Sequence, residues 1–142
     1  MRIIIPARLG SKGLPLKNRK LFKKTAATIP VERRHQVWVT TDDPEIKQFA
    51  QEYGFNVIDR PASLAQDSTS IRDVLVHALS ELEPDSNELI MMLYLTYPER
   101  TWDDVQSAID YFLSLYQVGV TNSLLCKKEP KVHPYLHLYE HG

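Results

Sequence analysis

A three-layer α/β fold with a mostly parallel sheet is what this sequence predicts, and three observations lead there. Short β-branched or wholly apolar runs alternate along the chain with segments of helical periodicity. Polar residues stand at the ends of the strand runs, where open α/β sheets bind ligands. Finally, 142 residues that are 43% hydrophobic and 25% charged suit a single soluble domain with a sizeable core. No apolar run approaches the roughly 20 residues that span a bilayer. Nor is a signal peptide expected, because three isoleucines after Arg2 give way at once to Pro6. Cys126 is the lone cysteine, so no disulfide framework or zinc spacing exists. It is expected as a small buried or half-buried residue in a reducing, cytoplasmic setting.

The first strand is the apolar run Ile3-Ile4-Ile5. A short helix is expected over 21–29, from Leu21, Phe22, Ala26 and Ile29, closed by Pro30. Residues 36–40 read as a second buried strand, followed at once by Thr41-Asp42-Asp43. Asp43 then caps a helix, with Pro44 in its first turn and Glu45 at the positive end of its dipole. Ile46, Phe49, Ala50 and Tyr53 fall at i, i+3, i+4 and i+7, and Gly54 stops the helix. Residues 55–58 form a third strand, completing a parallel crossover unit.

Residues 59–70 have no periodicity and are dense in turn and hydroxyl residues, which predicts a long loop. Ser70 caps a helix with an apolar stripe of Ile71, Val74, Leu75, Ala78, Leu79 and Leu82; His77 lies off that stripe and is expected at the surface. Residues 88–95 are almost continuously apolar, which predicts a central strand beside the first one, covered on both faces, with Met91 and Met92 as core filler. Thr101 to Asp104 resembles a capping box before Val105, Ala108, Ile109 and Phe112, so a further helix covers the sheet. Residues 118–125 read as a further strand. His133, His137 and His141 would align on a helix as a metal site, but Pro134 and the alternating pattern there argue for a strand.

The net charge of -1 hides an asymmetry: residues 1–36 hold ten Lys or Arg and one acidic residue, Glu32. Glycine and proline interrupt this basic start, which favours a small phosphate ligand over nucleic acid. The chemistry concentrates in residues 6–18, PARLGSKGLPLKN. There Gly10 and Gly13 let backbone N–H groups approach a ligand, while Arg8, Lys12 and Lys17 supply the charge that phosphate oxygens need. The spacing is neither a Walker A loop nor a dinucleotide fingerprint.

The segment from Ile5 to Asn18 resembles the signature of the acylneuraminate cytidylyltransferases, also called CMP-sialic acid synthetases. Thr40 to Ile46 is similar to their next motif, Arg60 to Ser70 to the one after, and His133-Pro134 to a later pair. The resemblance implies a Rossmann-like nucleotidyltransferase fold, usually dimeric, that joins CTP to a nine-carbon sugar acid such as N-acetylneuraminate with Mg2+, releasing pyrophosphate for cell-surface polysaccharide biosynthesis. Carried over residue by residue, it makes Arg8, Ser11 and Lys12 triphosphate ligands and Lys17 the activating lysine, with Arg8, Lys12 and Lys17 as the catalytic cations. Gly10, Gly13 and Asn18 become nucleotide contacts, and Arg60, Asp67, Thr69 and Ser70 the wall around cytosine and ribose. Capping accounts for Asp43, and a direct ligand role for it or Asp42 is the lesser reading.

Departures from the family pattern shape the remaining expectations. After the central strand the family carries Gln-Pro-Thr-Ser-Pro-Leu-Arg; here only Thr96, Pro98 and Arg100 persist, leaving Thr96 and Arg100 as the sugar-binding candidates. Family members also continue into a dimerisation segment and a strand whose aspartates hold Mg2+, and no match to these exists in the chain. The expectation is therefore one cytidylyltransferase-like domain over 1–142, truncated at its C-terminus and associating as a homodimer, without nucleic-acid or membrane partners. The alternatives are a non-catalytic CTP-binding domain, and a relative acting on Kdo-type, pseudaminate or legionaminate acceptors.

Overall fold

All sheet pairings among the described residues are parallel. The computed structural model describes residues 1–10 and 16–126. Its four strands, β1 (Arg2–Pro6), β2 (Val37–Thr41), β3 (Asn56–Asp59) and β4 (Ile90–Met92), lie in the order β3-β2-β1-β4. The helices are α1 (Lys17–Thr28), α2 (Pro44–Glu52), α3 (Ile71–Leu82) and α4 (Trp102–Gln117), with 3-10 turns at Val31–Gln36 and Ala62–Leu64. The chain divides into two compact units, Met1–Trp102 and Asp103–Gly142.

The first unit holds the sheet, and register explains its layers. Ile3, Ile4 and Ile5 of β1 stand beside Val37, Trp38 and Val39 of β2, and alternate residues face opposite sides. Ile4 joins Ile58, Ala78 and Leu82 in one core cluster, with Trp38, Leu75, Leu79 and Ile90 packed around it, so α3 covers that face. Ile3, Ile5, Val37 and Val39 point the other way, toward α2, which packs on β2 and β3 and carries α1 beside it. Phe22 of α1 meets Phe55 edge to face at 6.1 Å. The three isoleucines of β1 are fully buried, each contributing about 2–3 kcal/mol by burial.

Several expectations are corrected here. Helix α1 starts at Lys17, four residues ahead of its apolar pattern, because its first turn is polar and is held by contacts distant in sequence. Strand β4 does lie beside β1, but it is a three-residue strand at the edge of the sheet formed by the described residues, and its Met91 and Met92 are only half-buried. An apolar run alone does not separate a central strand from an edge. The segment 118–125 forms no strand: α4 runs on to Gln117, Gly119 turns the chain at φ 73°, and the residues beyond are largely exposed. Cys126 is exposed instead of buried. His77 is half-buried at the flank of the α3 stripe, facing Glu81 at 3.8 Å. The 59–70 segment contributes Asp59 to β3 and contains the Ala62–Leu64 turn. His133, Pro134, His137 and His141 lie outside the described residues.

Asp43 accepts from the Glu45 amide as the cap of α2, Ser70 accepts from Asp73 as the cap of α3, and Gly54 ends α2 at φ 78°, all as the sequence predicts. Among the described residues, no helix is long and apolar enough to cross a membrane.

Candidate functional site

Parallel strands leave their C-terminal ends on one edge of the sheet, and the loops that follow β1, β2 and β3 meet there. Directly after β2, the turn Thr41-Asp42-Asp43 is fixed by its own hydroxyl, since the Asp43 amide donates to Thr41 Oγ1 at 3.0 Å. The two carboxylates hold the stems of the basic loop. Asp42 accepts from the Leu9 amide at 2.8 Å. Asp43, 1% exposed, takes a two-pronged contact from Arg19, Nε at 2.8 Å and Nη2 at 3.0 Å. Arg19 also pairs with Glu45. Burial works against the charged form of Asp43, but hydrogen bonds from the Arg19 guanidinium and the Glu45 amide outweigh it and hold the carboxyl below the usual range.

The two stems are also tied to each other. Asn18 Nδ2 donates to the Arg8 carbonyl at 3.0 Å. Leu16 turns the chain into α1 with a left-handed φ of 62°, and its carbonyl accepts from the Arg19 amide. A leucine in that conformation costs roughly 1–2 kcal/mol, a strain set against the surrounding hydrogen bonds.

Beside these stems lies a cleft of about 210 Å3 lined by Arg8, Asn18, Arg60, Asp67 and Thr69 on its polar side. Pro6, Ile71, Val74 and Tyr94 give it an apolar side. Arg60 is the unusual member, an arginine only 7% exposed. Its Nη2 donates to the Thr40 carbonyl at 3.1 Å and its Nε to Thr40 Oγ1 at 3.4 Å, and among the described residues it has no carboxylate pair. Burial pushes its guanidinium below the usual arginine value, Asp42 pulls it back, and the neighbouring Arg8 pushes it down again. Arg8 itself pairs with Asp67 at 2.8 Å. A buried cation, a second one beside it and an apolar wall suit a ligand that carries both anionic groups and a ring.

The structure thus brings together Arg8, Asn18, Arg60, Asp67 and Thr69 of the sequence-predicted residues. Gly10 is exposed just ahead of this cluster, and Lys17 is the first residue of α1, half-buried. Ser70 is the α3 cap. Thr96 and Arg100 follow β4 and are not among the cleft residues; an Arg100 Nη2 donates to the Tyr94 carbonyl at 2.8 Å. Ser11, Lys12 and Gly13 lie outside the described residues. No group of three His, Cys, Asp or Glu that could hold a metal exists among the described residues. Asp42 and Asp43 are already engaged with Leu9 and Arg19. The described residues therefore give Mg2+ no ligand set.

A sequence profile described as Cytidylyltransferase matches residues 2–112. The chain belongs to the cytidylyltransferase family. Among members of this family, the chain is 32% identical over 138 residues to N-acylneuraminate cytidylyltransferase of Streptococcus agalactiae serotype V, covering 91% of this chain and 33% of the relative. It is 36% identical over 131 residues to N-acylneuraminate cytidylyltransferase of Escherichia coli O18:K1:H7, covering 84% of this chain and 31% of the relative. It therefore spans about a third of the length of these two relatives. A solved CMP:2-keto-3-deoxy-manno-octonic acid synthetase complexed with CTP superposes with a TM-score of 0.60 at 26% identity, over 80% of this chain and 47% of that one.

Two features of this candidate site escape sequence reasoning. Arg19 stands in the basic stretch just past the motif that ends at Asn18, with nothing in the sequence to single it out, and only the fold shows that it grips a buried aspartate 24 positions away. Tyr94 reads as part of an apolar strand, and only the early end of β4 turns it toward the cleft.

Proposed function

We propose that this chain forms the CTP-binding part of a nucleotidyltransferase that transfers CMP from CTP to a nine-carbon sugar acid of the N-acetylneuraminate type, releasing pyrophosphate. The single observation that supports it most is the cleft that joins Arg8, Asn18 and the buried Arg60 at the C-terminal edge of a parallel sheet, in a chain of the cytidylyltransferase family. In such a transfer a sugar hydroxyl attacks the α-phosphorus as the bond to the β-phosphate oxygen breaks. Charge builds on the α-phosphoryl oxygens and on the leaving pyrophosphate. Arg8 and Arg60, with Lys12 and Lys17 of the same basic sequence segment as Arg8, are the groups to neutralise it, and preorganised cations do so without reorganising during the reaction. The apolar side, Tyr94 with Ile71 and Val74, accommodates a ring, while Thr96 and Arg100 remain the sugar-side candidates. The reading extends to a cytoplasmic homodimer.

Calorimetry with CTP, run beside a pyrophosphate-release assay with CTP, Mg2+ and a panel of sugar acids, tests this. CTP should bind, and N-acetylneuraminate should release pyrophosphate. Replacing Arg8 and Lys12 together with alanine should abolish CTP binding, and unchanged affinity would reduce the loop to a turn. Binding without turnover on any acceptor would leave a nucleotide-binding domain in place of an enzyme.

A further inference from the structure

Among the described residues one acidic side chain, Asp67, lines the cleft, and it stands where an anion site should least want it. Asp67 Oδ1 lies 2.8 Å from Arg8 Nη1, with the Asp67 side chain 57% and the Arg8 side chain 24% exposed. The backbone that presents it is pinned. Within the turn around Asp67, the Thr69 amide donates to the Gln66 carbonyl at 3.0 Å and the Gln66 amide to Thr69 Oγ1 at 3.2 Å. The next residue, Ser70, caps α3. Asp67 therefore hangs its carboxylate from a fixed turn onto the more accessible of two neighbouring guanidinium groups. The other, Arg60, is buried and has no carboxylate pair among the described residues.

We infer that Asp67 is an internal competitor for Arg8 that sets how tightly the cleft holds phosphate, and is not a contact to the nucleotide. This rests on the nucleotide reading above. Any phosphate oxygen that reaches Arg8 must displace a carboxylate already in charge-assisted contact with it. The exchange of one anionic partner for another is close to even, so the net gain at Arg8 is small. It also runs backwards: as the anion departs, Asp67 returns a counterion to Arg8 and relieves its repulsion with Arg60, which eases release. A ligand without phosphate never enters the exchange.

The test compares the wild-type chain with Asp67→Asn and Asp67→Glu by calorimetry against tripolyphosphate, CTP and cytidine at low and high salt. Asp67→Asn should tighten tripolyphosphate and CTP about two- to fivefold, the range of a partly exposed ion pair. The gain should shrink at high salt, and cytidine should be unaffected. Asp67→Glu, which keeps the charge, should bind like wild type, and the melting temperature of each variant checks that the fold is retained. Weaker CTP or cytidine binding by Asp67→Asn would make Asp67 a ligand contact and overturn the inference, as would unchanged affinity for all three. Both outcomes require wild type to bind CTP, so they leave the nucleotide reading standing. A wild-type chain that binds neither CTP nor tripolyphosphate would overturn both.

Discussion

Thr25 lies on the buried side of α1, 3% exposed, and its hydroxyl has no hydrogen-bond partner among the described residues. A buried hydroxyl that gives up water without a replacement bond costs about 1–3 kcal/mol. Thr25→Val keeps the branched shape and removes that cost, so it should raise unfolding stability by about 1 kcal/mol in a urea titration. Asp43 is the opposite case, a buried polar group with every need met. Asp43→Asn weakens the grip of Arg19 and should cost about 2 kcal/mol at neutral pH. The pH dependence follows from the direction of the Asp43 shift. A carboxyl whose folded pKa is lowered contributes stability fully above its unfolded pKa, near 4, and loses it as pH falls through the folded pKa. The stability gap between wild type and Asp43→Asn should therefore be flat from neutrality to about pH 5 and close as the solution is acidified further.

At the scale of elements, the loop stems carry the sharpest test. Gly10 has no left-handed φ, and a Cβ placed there would meet nothing within 4 Å among the described residues. Gly10→Ala should leave unfolding stability within about 0.5 kcal/mol of wild type. If the glycine is there for backbone approach to phosphate, the same change should weaken CTP binding severalfold. Unaltered CTP affinity would remove Gly10 from the site. Much of the element order was legible because it is written locally. Asp43, Ser70 and Gly54 announce helix ends by chemistry that acts within a few residues. What stayed hidden depends on partners far along the chain: the polar first turn of α1, anchored through Arg19 to Asp43, and the place of β4 at the end of the described strand order. Of the residues lining the cleft, Arg8 stands out in the sequence by its place in the basic, glycine-containing loop and Asn18 and Arg60 by motif resemblance, whereas the Asp67 pairing with Arg8 needed the fold to bring two segments together.

For the whole molecule, the second unit presents Tyr111, Leu113, Tyr116, Val118, Val120 and Leu125 as exposed apolar side chains. Apolar surface concentrated in one stretch marks a place for association. The chain should self-associate at micromolar concentration, read as a concentration-dependent mass by light scattering, and Tyr116→Lys with Leu125→Lys should shift it toward monomer. A stable monomer across that range would rule out the homodimer.

The two aspartates after β2 have a consequence for the thermodynamics of binding. Leu9 and Arg19, ten positions apart, are both fastened to adjacent residues of one turn, so these two points of the chain are held together in the folded protein. The entropy of bringing them together, which grows only as the logarithm of the length between them, is met when the protein folds. On the CTP reading proposed above, a ligand bound beside these pinned points would have less chain to order and keep more of its contact energy as affinity. Releasing the two points with Asp42→Ala and Asp43→Ala should therefore appear in calorimetry with CTP mainly as a less favourable binding entropy.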